Sequence, residues 1–449
     1  MLKKYFGVML VFVLATLLAV PTGAQSDVFM PTPDDNPEFS WDSLDSFEGM
    51  DMAGEEVTVF GAFVDTDAAR FNAAMAPFEE ATGIDVVYEG SGDFESLVRV
   101  RVDGNDAPDI AAFPQPGLMR DLSDNMVPLS DELLSYVEEN YDQGWIELSR
   151  GTDGEVKNVV YRANVKSLVW FSPDNFFDAG YEIPETWDEM LELSDLIVED
   201  GATPWCIGIE SAGATGWVVT DWVEDVMLRT APAETYDAWV SNEIPFDDPA
   251  VVNALNVVGE IMLNDDYVSG GTDAILTTPF GDSPSGLFGD DPECYMHRQA
   301  SFIPGFFPDG TEIAEDGDAW AFYLPPIDTD IAERPLLTAG DLFGAFNDDP
   351  ATAALMEYLA TPLAQEIWAA QGGFVAPNVN ASLEVYPTDI DRFYGELLAT
   401  ATVSRFDGSD NMPAAIGAGV WWTQAVEWVQ SGSAEEALAA VEEEWQGLE

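Results

Sequence analysis

The sequence predicts an α/β protein of two domains, on three observations. Between Glu56 and Gly117 three short apolar runs alternate with stretches of helical periodicity, as in a parallel sheet. At 449 residues the chain is long enough for two separate cores. Its 47% hydrophobic content argues against disorder despite a formal charge of −69.

The elements follow in order. Glu56-Val-Thr-Val-Phe-Gly61 reads as a strand, Ala68 to Glu80 as a helix, and the run ending at Val86-Val-Tyr88 as a second strand. A helix from Asp93 to Val102 precedes a third strand that ends near Phe113. Ligands of such sheets bind beyond the carboxyl ends of the strands, here the loops Val64–Thr66, Glu89–Asp93 and Phe113–Gly117. Asn158-Val-Val-Tyr161, Ser167-Leu-Val-Trp-Phe171, Pro204 to Glu210, Ala300 to Gly305 and Trp320 to Leu324 carry strand-type patterns. Thr186 with Glu189 forms a capping box before a helix, and Asp221 to Thr230 is another helix. Helices are also expected over 350–360, 362–371, 420–430 and 433–445. Residues 25–54, rich in Pro, Asp and Ser, read as a flexible acidic leader.

Before them, Lys3 and Lys4, the apolar run Tyr5 to Val20 and Thr22-Gly-Ala24 have the form of an export signal spanning residues 1–24. With no cysteine near the cleavage site, the mature protein is expected free in a periplasm or outside the cell. In such an oxidising compartment Cys206 and Cys294 are expected to pair, the alternative being two separate buried thiols. A bridge closing so long a loop contributes roughly 4–5 kcal/mol on the entropic account. The charge of −69 excludes nucleic acid and anionic membranes as partners, since both require a positive surface. It points to an organism adapted to salt, because self-repulsion of this size calls for screening.

Phe78-Glu-Glu-Ala-Thr-Gly-Ile-Asp-Val86, followed by Ala107-Pro-Asp-Ile110, resembles the extracellular solute-binding proteins of sugar ABC transporters. Pro204-Trp-Cys-Ile-Gly-Ile-Glu-Ser211, Ala214-Thr-Gly-Trp-Val-Val-Thr-Asp-Trp222 and Cys294-Tyr-Met-His-Arg-Gln-Ala-Ser-Phe302 are most similar to the α-glucoside-binding branch. The resemblance implies a two-lobed periplasmic binding fold with hinge crossovers, each lobe a mixed sheet flanked by helices. Lobe one would comprise 55–165 plus 338–375, and lobe two 166–337 plus 376–449. It further implies a monomer that binds an oligosaccharide without a cofactor and delivers it to membrane permease subunits.

A sugar presents a ring of hydroxyls and a face of C–H bonds, so its site needs polar groups at the edge and an aromatic ring below. The family's paired aromatic at the start of the last-lobe helix matches Trp421 and Trp422, although helical spacing to Trp428 also suits a core face. Trp217 follows Gly216 in a loop where the family places an aromatic contact. Phe306 and Phe307 stand where the family often has Trp. In lobe one the expected contacts are Asp65, Phe113 and Gln115, whose amide suits a hydroxyl pair. Asp341 would bond sugar or brace the hinge, Asp93 would cap a helix, and Arg298 would pair with a buried acid.

No Gly-x-Ser-x-Gly elbow, no metal-spaced His/Cys group and no phosphate-cradling loop occurs, so a non-enzymatic role is expected. The rival is a secreted glycosidase using two carboxylates. Among 84 acidic residues a chance pair carries no weight. A binding protein for a charged solute would want an arginine cluster, and the arginines are scattered.

Overall fold

The computed structural model describes residues 28–50 and 52–448, so the export signal expected over 1–24 and residues 25–27 lie outside the described residues. Strands β1 (Glu56–Gly61), β2 (Asp85–Gly90) and β3 (Ile110–Phe113) are joined by helices Asp65–Thr82 and Phe94–Asp103. They pair in parallel, Val59 opposite Tyr88 on one side and Ile110 on the other. Parallel strands need such crossovers, and helices cover the sheet, which is why β3 is buried along its whole length.

The chain then leaves this sheet along β4 (Asn158–Val165) and enters a second one through β5 (Leu168–Phe171). There β5 lies between β6 (His297–Arg298) and β7 (Trp320–Tyr323), both antiparallel to it. The return runs along β8 (Pro335–Ala345), which pairs antiparallel with β3 and β4. Its first residues also pair in parallel with β9 (Val403–Phe406). The first sheet has the order β2-β1-β3-β8-β4, and the second β6-β5-β7. Gly340 sits where β8 presses on β4, since a Cβ there would meet Arg162 O at 2.6 Å.

Each sheet anchors its own core. One gathers Val59, Ile110, Phe343, Leu355 and Trp368. The other gathers Trp222, Leu255, Trp421, Trp428 and Trp445, and is built largely by helices 217–230, 249–262, 422–431 and 434–448. A satellite cluster around Trp170 contains Cys206 and Cys294, which are disulfide-bonded with Cα atoms 5.5 Å apart.

Several expectations are corrected. The leader is packed, not loose: Phe47 is buried edge-on against Phe78 and Tyr358, and Ser40 donates through N and Oγ to the buried Glu366 carboxylate. Its polar composition hid two aromatic anchors, Phe39 and Phe47. Val385 and Tyr386, placed by the sequence reading in lobe two, belong to the first core, and Ile390 to the satellite cluster. Pro204 to Glu210 forms only isolated bridges at Trp205 and Glu210, and Ala300 to Gly305 is a turn leading into a 3-10 helix, Ile303–Phe306. Asp93 occupies the cap position, but its side chain makes no capping bond.

The acid residues outnumber Lys and Arg 84 to 15, so most carboxylates have no cation to pair with. Melting temperature is therefore expected to climb with NaCl as the repulsion is screened. A midpoint unchanged between dilute buffer and molar salt would remove self-repulsion as a determinant of stability.

Candidate functional site

A cleft of about 510 Å³ lies between the two lobes, floored by the strands that cross between them. Near it Arg120 Nη1 donates to Asn411 O at 2.9 Å, joining helix Pro116–Leu122 to the turn Gly408–Asn411. This is a direct contact between the lobes.

The first-lobe wall comes from the carboxyl ends of β1 and β3. Asp65, exposed, follows β1 with φ of +49°, a left-handed conformation uncommon outside glycine. Gln115, after β3, is buried and donates through Nε2 to Glu95 Oε1 at 3.0 Å. Its Oε1 is buried without a partner, on a side chain that lines the cleft. Burial raises the Glu95 carboxyl above the usual range, against the Gln115 bond.

The floor holds two buried cations. The Arg162 guanidinium lies 3.9 Å from the Phe63 ring centre, 3.7 Å from Phe374 and 4.3 Å from Trp368. It pairs with Asp341 and reaches Asp67 at 3.4 Å. Burial pushes Asp341 up while Arg162 pulls it back. One step along the crossover, Lys166 Nζ donates to Asp221 Oδ1 at 2.8 Å and to Asp407. Burial raises the Asp221 carboxyl to about 7 against the pull of Lys166. Burial opposes ionisation of Asp407 too, yet Lys166 holds it down to about 2. Burial and the neighbouring Asp407 charge push Glu224 and Asp410 well above the carboxylate range. Glu224 in turn accepts from the backbone N–H of Gly408 and Ser409, at 2.7 and 2.8 Å. Lys166, through Asp407, and Glu224, through these N–H groups, together hold the 407–410 turn, and with it Asp410 on the cleft wall.

The second-lobe wall is aromatic. Trp217 meets Phe280 edge-on at 5.2 Å, and Phe280 meets Phe306 at 5.1 Å. Trp422 lines the cleft with its buried indole N–H unpartnered. Gly216, at φ +119°, brings these parts together, because a Cβ there would stand 2.3 Å from Trp422 O.

Of the residues expected from sequence, Asp65, Gln115, Trp217, Phe306, Asp341 and Trp422 line this cleft. Three do not. Phe113 is fully buried against Phe94, and Phe307 packs edge-on against Trp170 in the satellite cluster. Trp421 is core, edge-on to Phe246 at 5.3 Å. The π-helical turn Ile416–Trp421 widens the backbone just before helix 422–431, and only the second Trp of the pair reaches the cleft. Arg298 is structural, pairing with Asp225 at 2.8 Å. His297 donates through Nδ1 to Cys206 O at 2.9 Å, and burial lowers its pKa to about 4. Among the described residues no group of His, Cys, Asp and Glu is arranged to hold a metal ion.

Sequence reasoning missed Arg162, Lys166, Glu95, Phe280, Phe302 and Asp410, all lining the cleft. A signal existed for Lys166: a lysine inside an apolar run, in a chain whose other lysines are Lys3, Lys4 and Lys157. Nothing local marks Phe280 or Asp410, which are brought in by tertiary contacts.

Comparison with known proteins gives a consistent result. Residues 64–280 match the family described as bacterial extracellular solute-binding protein. The chain is 45% identical over 426 residues to the alpha-glucosides-binding periplasmic protein AglE of Rhizobium meliloti (strain 1021), covering 93% of each. It is 46% identical over 409 residues to the osmoprotective compounds-binding protein GgtB of Synechocystis sp. (strain ATCC 27184 / PCC 6803 / Kazusa), covering 90% of this chain and 96% of that one. Its fold matches the bacterial solute receptor AcbH with a TM-score of 0.77 at 15% identity, over 88% of this chain and 100% of the receptor.

Proposed function

The chain belongs to the bacterial extracellular solute-binding proteins, and from that premise we propose that it captures an α-glucoside between its lobes and delivers it to an ABC transporter permease. The observation that carries this reading is the division of labour across the cleft. Trp217, Phe306 and Trp422 supply apolar faces, while Asp65, Gln115 and Asp341 supply the hydrogen-bonding edge. A pyranose offers the complementary pair of surfaces. The 45% identity to AglE supports α-linked glucose as the unit recognised.

Sugar contacting both walls favours the closed arrangement by whatever contacts it gains only there. The closed form is what the permease would recognise, outside the cytoplasmic membrane, with the protein acting as a single chain. The likeness to GgtB supports osmoprotective solutes as a second class of ligand. Trehalose and sucrose satisfy both descriptions.

Calorimetry of the mature protein in high salt against maltose, trehalose, sucrose and cellobiose tests the assignment. Micromolar binding of an α-linked disaccharide, with cellobiose silent, is the expected result. Tighter binding of cellobiose, or slow hydrolysis of any of the four, would overturn it.

A further inference from the structure

Beside the cleft lies a second cavity of about 180 Å³, far above the ~15 Å³ that seats one water. Phe302 and Gly305 line both spaces, so they adjoin. It too is walled by both lobes: Arg70 and Gln371 on one side, the first turns of helix Asp389–Thr400 on the other. On that helix Ile390, Asp391 and Tyr394 share one face, at helical spacing.

One polar group there has no structural occupation that accounts for it. The Tyr394 side chain is fully buried, and its hydroxyl has no hydrogen-bond partner. A buried hydroxyl left unpaired is costly, and the open space beside it is where a partner would sit. Asp391, also buried, is held by its own fold, accepting from Gly373 N at 3.1 Å and from the N-cap Thr388 hydroxyl, and burial raises its carboxyl against those bonds. Phe302, Pro304 and Ile313 complete the lining with apolar surface. One cation and one acid leave no strong preference for a charged guest.

We propose that this cavity is an extension subsite that takes a further sugar ring of the oligosaccharide held in the main cleft, so that the preferred ligand is longer than a disaccharide. The proposal rests on the sugar-binding reading above. Tyr394 donates to a hydroxyl of that ring, and Phe302 forms the step between the two spaces.

Calorimetry with maltose and maltotriose on the parent, Tyr394→Phe and Ile313→Trp tests it. The first change removes only an unpartnered hydroxyl, and the second fills the cavity from a half-buried position. The parent is expected to bind maltotriose at least tenfold more tightly than maltose. Tyr394→Phe should weaken maltotriose about fivefold, the worth of one hydrogen bond, and leave maltose unchanged. Ile313→Trp should bring maltotriose down to the affinity of maltose. Equal affinities for both sugars in the parent, or variants that bind maltotriose as the parent does, would remove the subsite and leave the sugar-binding reading intact. No heat from either sugar in any protein would instead defeat that reading, and this proposal with it.

Discussion

Lys166→Met is expected to destabilise the protein by about 3–5 kcal/mol at neutral pH, and acid should restore much of the loss. Lys166 lies at the junction of both lobes, buried, with Asp221, Asp407, Glu224 and Asp410 around it. Methionine keeps the length and removes the only charge that holds Asp407 down. Arg298 remains nearby, but it is committed to Asp225 and reaches Asp221 only at 3.8 Å. Burial then raises every carboxyl of the cluster above its unfolded value of roughly 4. A group raised in the folded state contributes stability that is complete below its unfolded pKa and lost as pH climbs through the folded one. The variant should accordingly be most stable near pH 4 to 5 and weaken steadily towards pH 8. Denaturant midpoints of parent and variant across that range measure the effect. A loss of equal size at every pH would mean that packing, not charge, gives Lys166 its importance.

The second large effect is expected from Gly216→Ala. Its backbone is at φ +119°, and the added methyl would stand 2.3 Å from a carbonyl oxygen rather than from a yielding side chain. Backbone strain and overpacking together cost about 2–5 kcal/mol. The consequence for binding follows from what the glycine joins. Trp217 begins the helix after it, and Trp422 supplies the oxygen it touches, so relief of the clash moves one aromatic wall residue or both. Sugar affinity should fall more than tenfold at a temperature where the variant is still folded. Parent-like affinity in a folded variant would show that the two indoles do not depend on this approach for their positions.

Legibility from sequence followed the range of the interaction involved. The β1–β3 unit was readable because alternating strand and helix periodicities are local, and the capping box at Thr186 and Glu189 is present as expected. Gln115 and Asp65 could be placed because they follow strands at the carboxyl edge of a parallel sheet, where topology alone directs them to a cleft. Trp421 could not be separated from Trp422, since an uninterrupted helical period carries no sign of a π-turn ending between them. Phe113 misled because the strand is buried on both faces, so its end residue has a core to enter. The charged floor was hidden for a different reason. Arg162 and Asp341 sit on strands distant in sequence, and only the register of β4 with β8 makes them partners. Among 84 acids, no count could have singled out Asp221, Asp407 and Asp410.

The most direct test of a sugar held between the lobes is a crystal structure of the mature protein grown with trehalose or maltose in high salt. The expected density is a disaccharide inside the interlobe cleft, one ring stacked on Trp217 or Trp422 and its hydroxyls bonded to Gln115 and Asp341. Sugar bound on the outer surface, or a cleft filled only by water at saturating sugar, would contradict the account.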